Sequence, residues 1–105
     1  MKFSFLIIFF LINFSVLNAD TKKKIAYIVS DTSIPFWNIM AKGVKNSANT
    51  FDYEIEIYNS SNNAKTELEN TIKAINNKVS GIIISPNNSS SCATVLKLAK
   101  KANIP

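Results

Sequence analysis

The chain has 105 residues with 12 basic and seven acidic side chains, every basic one a lysine, and no histidine. A net charge of +5 is modest, and no aromatic residues interleave with a basic run, so the composition argues against nucleic-acid binding. The missing histidine removes the commonest general base and metal ligand. Cys92 alone excludes an internal disulfide, and the two glycines, Gly43 and Gly81, cannot build a phosphate loop.

Residues 1–19 read as an export signal. Met1 and Lys2 make a short positive start, residues 3–17 are apolar except for Ser4, Asn13 and Ser15, and Asn18-Ala19 puts a small residue before Asp20. That apolar run falls short of the ~20 residues a helix needs to cross a bilayer. Lys22, Lys23 and Lys24 follow the run, against the tendency to place positive charge before it. Cleavage after Ala19 leaves 86 residues (105 minus 19), enough for one small core.

Residues 24–30 (KIAYIVS) are short, apolar and β-branched, the pattern of a strand covered on both faces. A polar stretch through Ser33 follows. Pro35 then suits a helix's first turn, and Phe36, Met40, Val44, Ala48 and Phe51 recur at helical spacing through Thr50. Residues 54–58 (EIEIY) alternate acidic and apolar, as a strand near a sheet edge does. After a polar loop at 59–63, a second helix is predicted over 64–77, with Ala64, Leu68, Ile72, Ile75 and Val79 on one face and Glu69 and Lys73 spaced for an ion pair.

Gly81 introduces Ile82-Ile83-Ile84, the most hydrophobic stretch after the signal, which reads as a central strand. Ser89 or Ser90 can cap a third helix that turns Cys92, Val95, Leu96, Ala99 and Ala102 inward. Asn103 closes that helix, and Ile104-Pro105 resembles the approach to a fourth strand.

Three consecutive strand-helix units with right-handed crossovers predict an α/β fold, a three-layer αβα arrangement around a parallel sheet. In such sheets ligands bind beyond the carboxyl ends of the strands, where the winding reverses. The common spatial order 2-1-3 brings together loops 31–37 and 85–90. Both are polar, and the first ends in two large aromatic residues.

Those loops also carry a family resemblance. KIAYIVS at 24–30, IPFW at 34–37, Gly43-Val44, GIIISP at 81–86 and ANIP at 102–105 together resemble the amino-terminal lobe of type I periplasmic sugar-binding proteins, the ribose and galactose binders. The resemblance implies a Rossmann-like lobe, with residues 20–105 forming part of it as three βα units. It implies binding of a sugar-like ligand, no cofactor, and delivery to an ABC permease. The alternative is a periplasmic sensing domain of a membrane receptor such as a kinase. The lack of histidine, of a nucleophile elbow and of a metal-ligand cluster argues against an enzyme.

Carried over by position, the resemblance makes Phe36 and Trp37 ring-stacking aromatics, because one face of a sugar ring presents C–H groups that pack on an aromatic plane. One of the two must also face inward, as both lie in a helix's first turn. Asp31 and Ser33 belong to the same loop; Asp31 can bond a sugar hydroxyl or satisfy loop amides. Ser85, Asn87 and Asn88 offer donors and acceptors for a hydroxyl-rich ligand, or serve as turn and capping residues around Pro86. Ile34 stands where ribose binders commonly place an asparagine, and Ser85 is shorter than the asparagine often found there.

Overall fold

The computed structural model describes residues 22–105, so the expected export segment lies outside the described residues. Six elements alternate as predicted: β1 (Lys23–Val29), α1 (Pro35–Thr50), β2 (Tyr53–Asn59), α2 (Ala64–Asn76), β3 (Gly81–Ile84) and α3 (Ser89–Lys101). Several strand and helix ends differ by a residue from the pattern, where hydrogen-bond ladders fray.

The strands form one parallel sheet in the order β2-β1-β3, with Tyr27 of β1 in register with Ile57 on one side and Ile83 on the other. β1 holds the centre, and Ala26, Tyr27, Ile28 and Val29 are all buried, as a strand covered on both faces requires. β3, expected from its hydrophobicity to be a central strand, has β1 on one side. It is an edge of the described sheet, and Ile83 is 41% exposed. The Ile82 N–H donates to the Pro105 carbonyl at 2.8 Å, so the terminal residues already lie along that edge.

α1 covers one face of the sheet, where Ala41 and Ala48 meet Tyr27, Val29 and Ile55, with Trp37 and Val44 alongside. The opposite face packs Ala26 against Ala74 and Val79, flanked by Tyr58, Ile82 and Ile104, and α2 runs against α3 there. Each large aliphatic side chain withdrawn from water in these layers contributes roughly 1.5–3 kcal/mol.

All three helical faces differ in part from the sequence pattern; in α3, Leu96 is exposed instead of turned inward. The buried stripe of α1 runs through Trp37, Ala41, Val44 and Ala48, while Phe36, Met40 and Phe51 point outward. Apolar residues at both sets of positions allow either stripe, and the small alanines let the helix approach the sheet closely. α2 buries Glu67, Asn70, Thr71 and Ala74, and leaves Ile72 exposed. Its inward face is partly polar because it serves hydrogen bonds at the strand ends. Glu69 pairs with Lys65 at 3.8 Å instead of with Lys73.

Helix ends follow local chemistry. Asn63 caps α2 by accepting from the Thr66 N–H at 3.0 Å, and Asn88 caps α3 by accepting from the Ser91 N–H at 2.8 Å, in place of the Ser89 or Ser90 cap expected for α3. Past their last turns the three helices release the chain through Asp52, Lys78 and Asn103, all with positive φ.

Candidate functional site at the strand ends

All three helices begin where the strands end, so their first turns and the preceding loops converge on one side of the sheet. The ladder continues past the strands. The Ser60 N–H donates to the Val29 carbonyl at 2.9 Å, the Ser85 N–H to the Ile28 carbonyl at 2.9 Å, and the Asn62 N–H to the Ser30 carbonyl at 2.7 Å. These bonds bring the loops after β1, β2 and β3 side by side, the juxtaposition that the 2-1-3 order required.

In the loop after β1, Asp31 Oδ1 accepts from the Ser33 N–H at 2.9 Å and from the Ser33 hydroxyl at 2.7 Å. The Ser33 hydroxyl bond, followed by that from its backbone N–H, lowers the Asp31 carboxyl below its ordinary value against a small opposing effect of burial. The second carboxylate oxygen accepts no hydrogen bond among the described residues. Asp31 thus organises its own turn with one oxygen and presents the other outward. The Asn59 side chain adds a brace, accepting from Thr32 N–H at 3.1 Å and Ser61 N–H at 3.0 Å, and so links the loops after β1 and β2.

Phe36 and Trp37 divide the two roles open to them. Trp37 is half-buried and packs on the Tyr27 and Val29 cluster. Phe36 is 61% exposed and meets the Trp37 ring edge to face, with centroids 4.8 Å apart and planes at 80°. The core therefore props Trp37, and Trp37 props Phe36, at the mouth of the first loop.

The loop after β3 is more tightly held. The Ser85 hydroxyl lies 2.7 Å from the hydroxyl of buried Tyr27. Asn87 is engaged at every polar side-chain atom: its Oδ1 accepts from the Ser30 hydroxyl at 2.9 Å, and its Nδ2 donates to Glu67 Oε2 at 2.7 Å. Its backbone N–H donates to the same oxygen at 2.8 Å. Asn88 gives its side-chain oxygen to the α3 cap, leaving its amide nitrogen without a described partner.

The geometry brings Asp31, Ser33, Phe36, Trp37, Ser85, Asn87 and Asn88 to one end of the sheet. Within that group Asp31, Phe36 and Asn88 have atoms free for a ligand, whereas Asn87 is consumed by the scaffold. The sequence reading missed the residues beneath this surface, namely Tyr27, Asn59 and Glu67. An acid in the first turn after an asparagine cap reads as an exposed dipole partner, so nothing in the local pattern marked Glu67 as buried.

One groove lies beside these loops and a second lies away from them. The first, of about 380 Å³, runs between the first turns of α2 and α3, lined by Lys65, Leu68, Asn88, Ser91 and Thr94 among others. The larger, about 560 Å³, is an apolar channel between β3 and α3, formed by Ile82, Ile84, Val95, Leu96 and Ile104 with their neighbours. It is a hydrophobic seam with few polar groups, poorly suited to a hydroxyl-rich ligand. Among the described residues no cluster of three His, Cys, Asp or Glu side chains could hold a metal ion.

Comparison with known proteins agrees with this architecture. The ribose import binding protein of Escherichia coli strain K12 is 31% identical over 88 residues, which cover 84% of this chain and 30% of that protein. A periplasmic ribose ABC transporter structure from Conexibacter woesei superposes with a TM-score of 0.75 at 25% identity, over 81% of this chain and 28% of that one. An ABC transporter solute binding protein from Clostridium phytofermentans, with β-D-glucose bound, gives a TM-score of 0.73 at 23% identity, over 78% of this chain and 25% of that one. The chain therefore spans under a third of the length of these relatives. The profile of the family described as periplasmic binding protein domain matches residues 25–105, most of the sequence, and the chain belongs to that family.

Proposed function

We propose that this chain contributes to a solute-binding protein that captures a sugar, or a similarly small hydroxyl-rich molecule, outside the cytoplasmic membrane for uptake by an ABC permease. The observation that carries the reading is the convergence of loops 31–37 and 85–88 at the carboxyl ends of β1 and β3, within a chain whose family match runs over residues 25–105. In this reading residues 1–19 direct export and are removed, and residues 20–105 form part of an amino-terminal lobe.

The chemistry of the loops supports a polyol. Phe36, backed by Trp37, offers an exposed ring for the C–H face of a sugar. Asp31 offers a carboxylate oxygen to a hydroxyl donor, and the free amide nitrogen of Asn88 is a donor for a hydroxyl oxygen. Ser33 and Ser85 contribute as neighbours whose hydroxyls are already oriented, and Asn87 contributes by shaping the loop. Nothing among the named relatives favours the sensing-domain alternative.

Isothermal titration of the complete protein to which this chain contributes, with D-ribose, D-glucose and myo-inositol, tests the proposal. Saturable binding of at least one is expected, and no heat from any of the three would sink it. Mass measurement of the exported product tests the signal, with loss of residues 1–19 as the expected outcome.

A further inference from the structure

Glu67 is fully buried, yet no lysine pairs with it: the ion pairs among the described residues are Lys22 with Asp52, Lys24 with Glu56 and Lys65 with Glu69. One carboxylate oxygen, Oε1, has no hydrogen-bond partner among the described residues. A buried acid without a cation is costly, and an apolar residue of similar size would fill the same space more favourably. Packing therefore does not explain this side chain.

Its other oxygen supplies the explanation. Glu67 Oε2 accepts both the backbone N–H and the side-chain amide of Asn87, at 2.8 and 2.7 Å. Between Ser85, whose N–H is held by β1, and the first turn of α3, the loop contains Pro86, which has no N–H to donate. The Asn87 N–H is thus the anchor of the loop's middle. With its donor end on Glu67, the Asn87 amide has a single orientation, and its acceptor end receives the Ser30 hydroxyl at 2.9 Å. One carboxylate thereby joins α2, the loop after β3 and the end of β1.

We propose that Glu67 is the positioning residue of the strand-end site, fixing the conformation of residues 85–88 through Asn87 without touching the ligand itself. That this loop contacts a sugar rests on the function proposed above. The clamp stands on the geometry alone.

The test compares the complete protein with Glu67→Leu, which keeps the volume and removes both acceptors, and Glu67→Gln, which retains one oxygen for Asn87. Hydrogen exchange of the Asn87 amide is read against that of Val29 in the core, and titrations use D-ribose, D-glucose and myo-inositol. In Glu67→Leu the Asn87 amide is expected to exchange about tenfold faster or more, with Val29 unchanged, and affinity for whichever probe binds to fall about tenfold. Glu67→Gln should restore both. Should the leucine variant not fold, Glu67→Asp, one methylene too short to reach Asn87, serves the same comparison. Equal Asn87 exchange in all variants, failure of Gln to restore it, or a loosened loop with unchanged affinity would overturn the proposal. If the unmodified protein binds none of the probes, the sugar reading falls, and Asn87 exchange alone decides the clamp.

Discussion

The Tyr27 hydroxyl lies 2.7 Å from Ser85 Oγ, joining a side chain in the middle of the central strand to the first residue beyond β3. Tyr27 is buried against α1, so its ring belongs to the core while its hydroxyl meets the loop after β3. A phenol of this kind satisfies its polar end only where the core meets a polar surface. The position of Ser85 is therefore set from beneath by a buried side chain.

Replacing Tyr27 with Phe keeps the ring and removes this bond. Stability should fall by about 1 kcal/mol, the net worth of an ordinary hydrogen bond. Urea denaturation measures it. An unchanged midpoint would mean that water serves the Ser85 hydroxyl equally well.

The two neighbouring aromatics should separate in their effects. Phe36→Ala, at an exposed ring, is expected to change stability by no more than about 0.5 kcal/mol. Trp37→Ala uncovers the Tyr27 and Val29 cluster and should cost about 2 kcal/mol. Both should weaken sugar binding by about tenfold relative to Lys97→Ala on the outer side of α3. Thermal melts and calorimetric titration together distinguish the roles, and equal binding by all three variants would remove the aromatics from the site.

Glu56 and Tyr58 give a pH dependence of defined sign. The Tyr58 hydroxyl donates to Glu56 Oε2 at 2.6 Å, and Lys24 lies 3.3 Å from Oε1. The tyrosine bond chiefly lowers the Glu56 carboxyl below its usual value; partial burial opposes this and Lys24 assists. Tyr58 is raised above the ordinary tyrosine value, first by burial and then by its bond to Glu56. A depressed carboxyl contributes stability above its unfolded value, and that contribution is lost as pH falls through the folded one. A raised phenol contributes below its unfolded value and loses it as pH rises through the folded one. The pair therefore favours the fold between the glutamate and tyrosine ranges. Tyr58→Phe should move Glu56 back towards its ordinary value, which a carbon-detected titration of the carboxyl measures; an unmoved Glu56 would assign its shift to Lys24 instead.

Lys78 leaves α2 with φ of 55°, a conformation that costs a side-chain-bearing residue roughly 1–2 kcal/mol. Asp52 and Asn103, at equivalent places after α1 and α3, tolerate it better. Lys78→Gly should raise stability by about 0.5–1 kcal/mol, since the relief exceeds the added freedom of the unfolded chain. Thermal unfolding checks the sign, and a lowered melting temperature would refute it.

Element type and order were legible in the chain because each element is written in its own period. Residues 24–30 announce burial on both faces by a continuous apolar run, and EIEIY announces an edge by alternation. The same local logic failed for helix faces. In α1, apolar residues at 36, 37, 40, 41, 44 and 48 satisfy two stripes, and only contact with Tyr27, Val29 and Ile55 chose the one through Ala41 and Ala48. In α2, the inward turn of Glu67 and Asn70 contradicts any hydrophobic pattern, because those side chains answer hydrogen-bonding groups on distant segments.

The division at the site follows from the same cause. Polar loops after β1 and β3, with two aromatic residues closing the first, were legible residue by residue, since turn chemistry and helix starts are short-range properties. Which of their atoms are spent and which are free depends on contacts made across the folded chain. Asn87, 20 residues from Glu67 and 57 from Ser30, has its amide taken by both, and Tyr27 reaches Ser85 across 58 residues. A hydrogen bond depends on distance and angle in space, and chain proximity carries no information about partners that the fold brings together from so far apart.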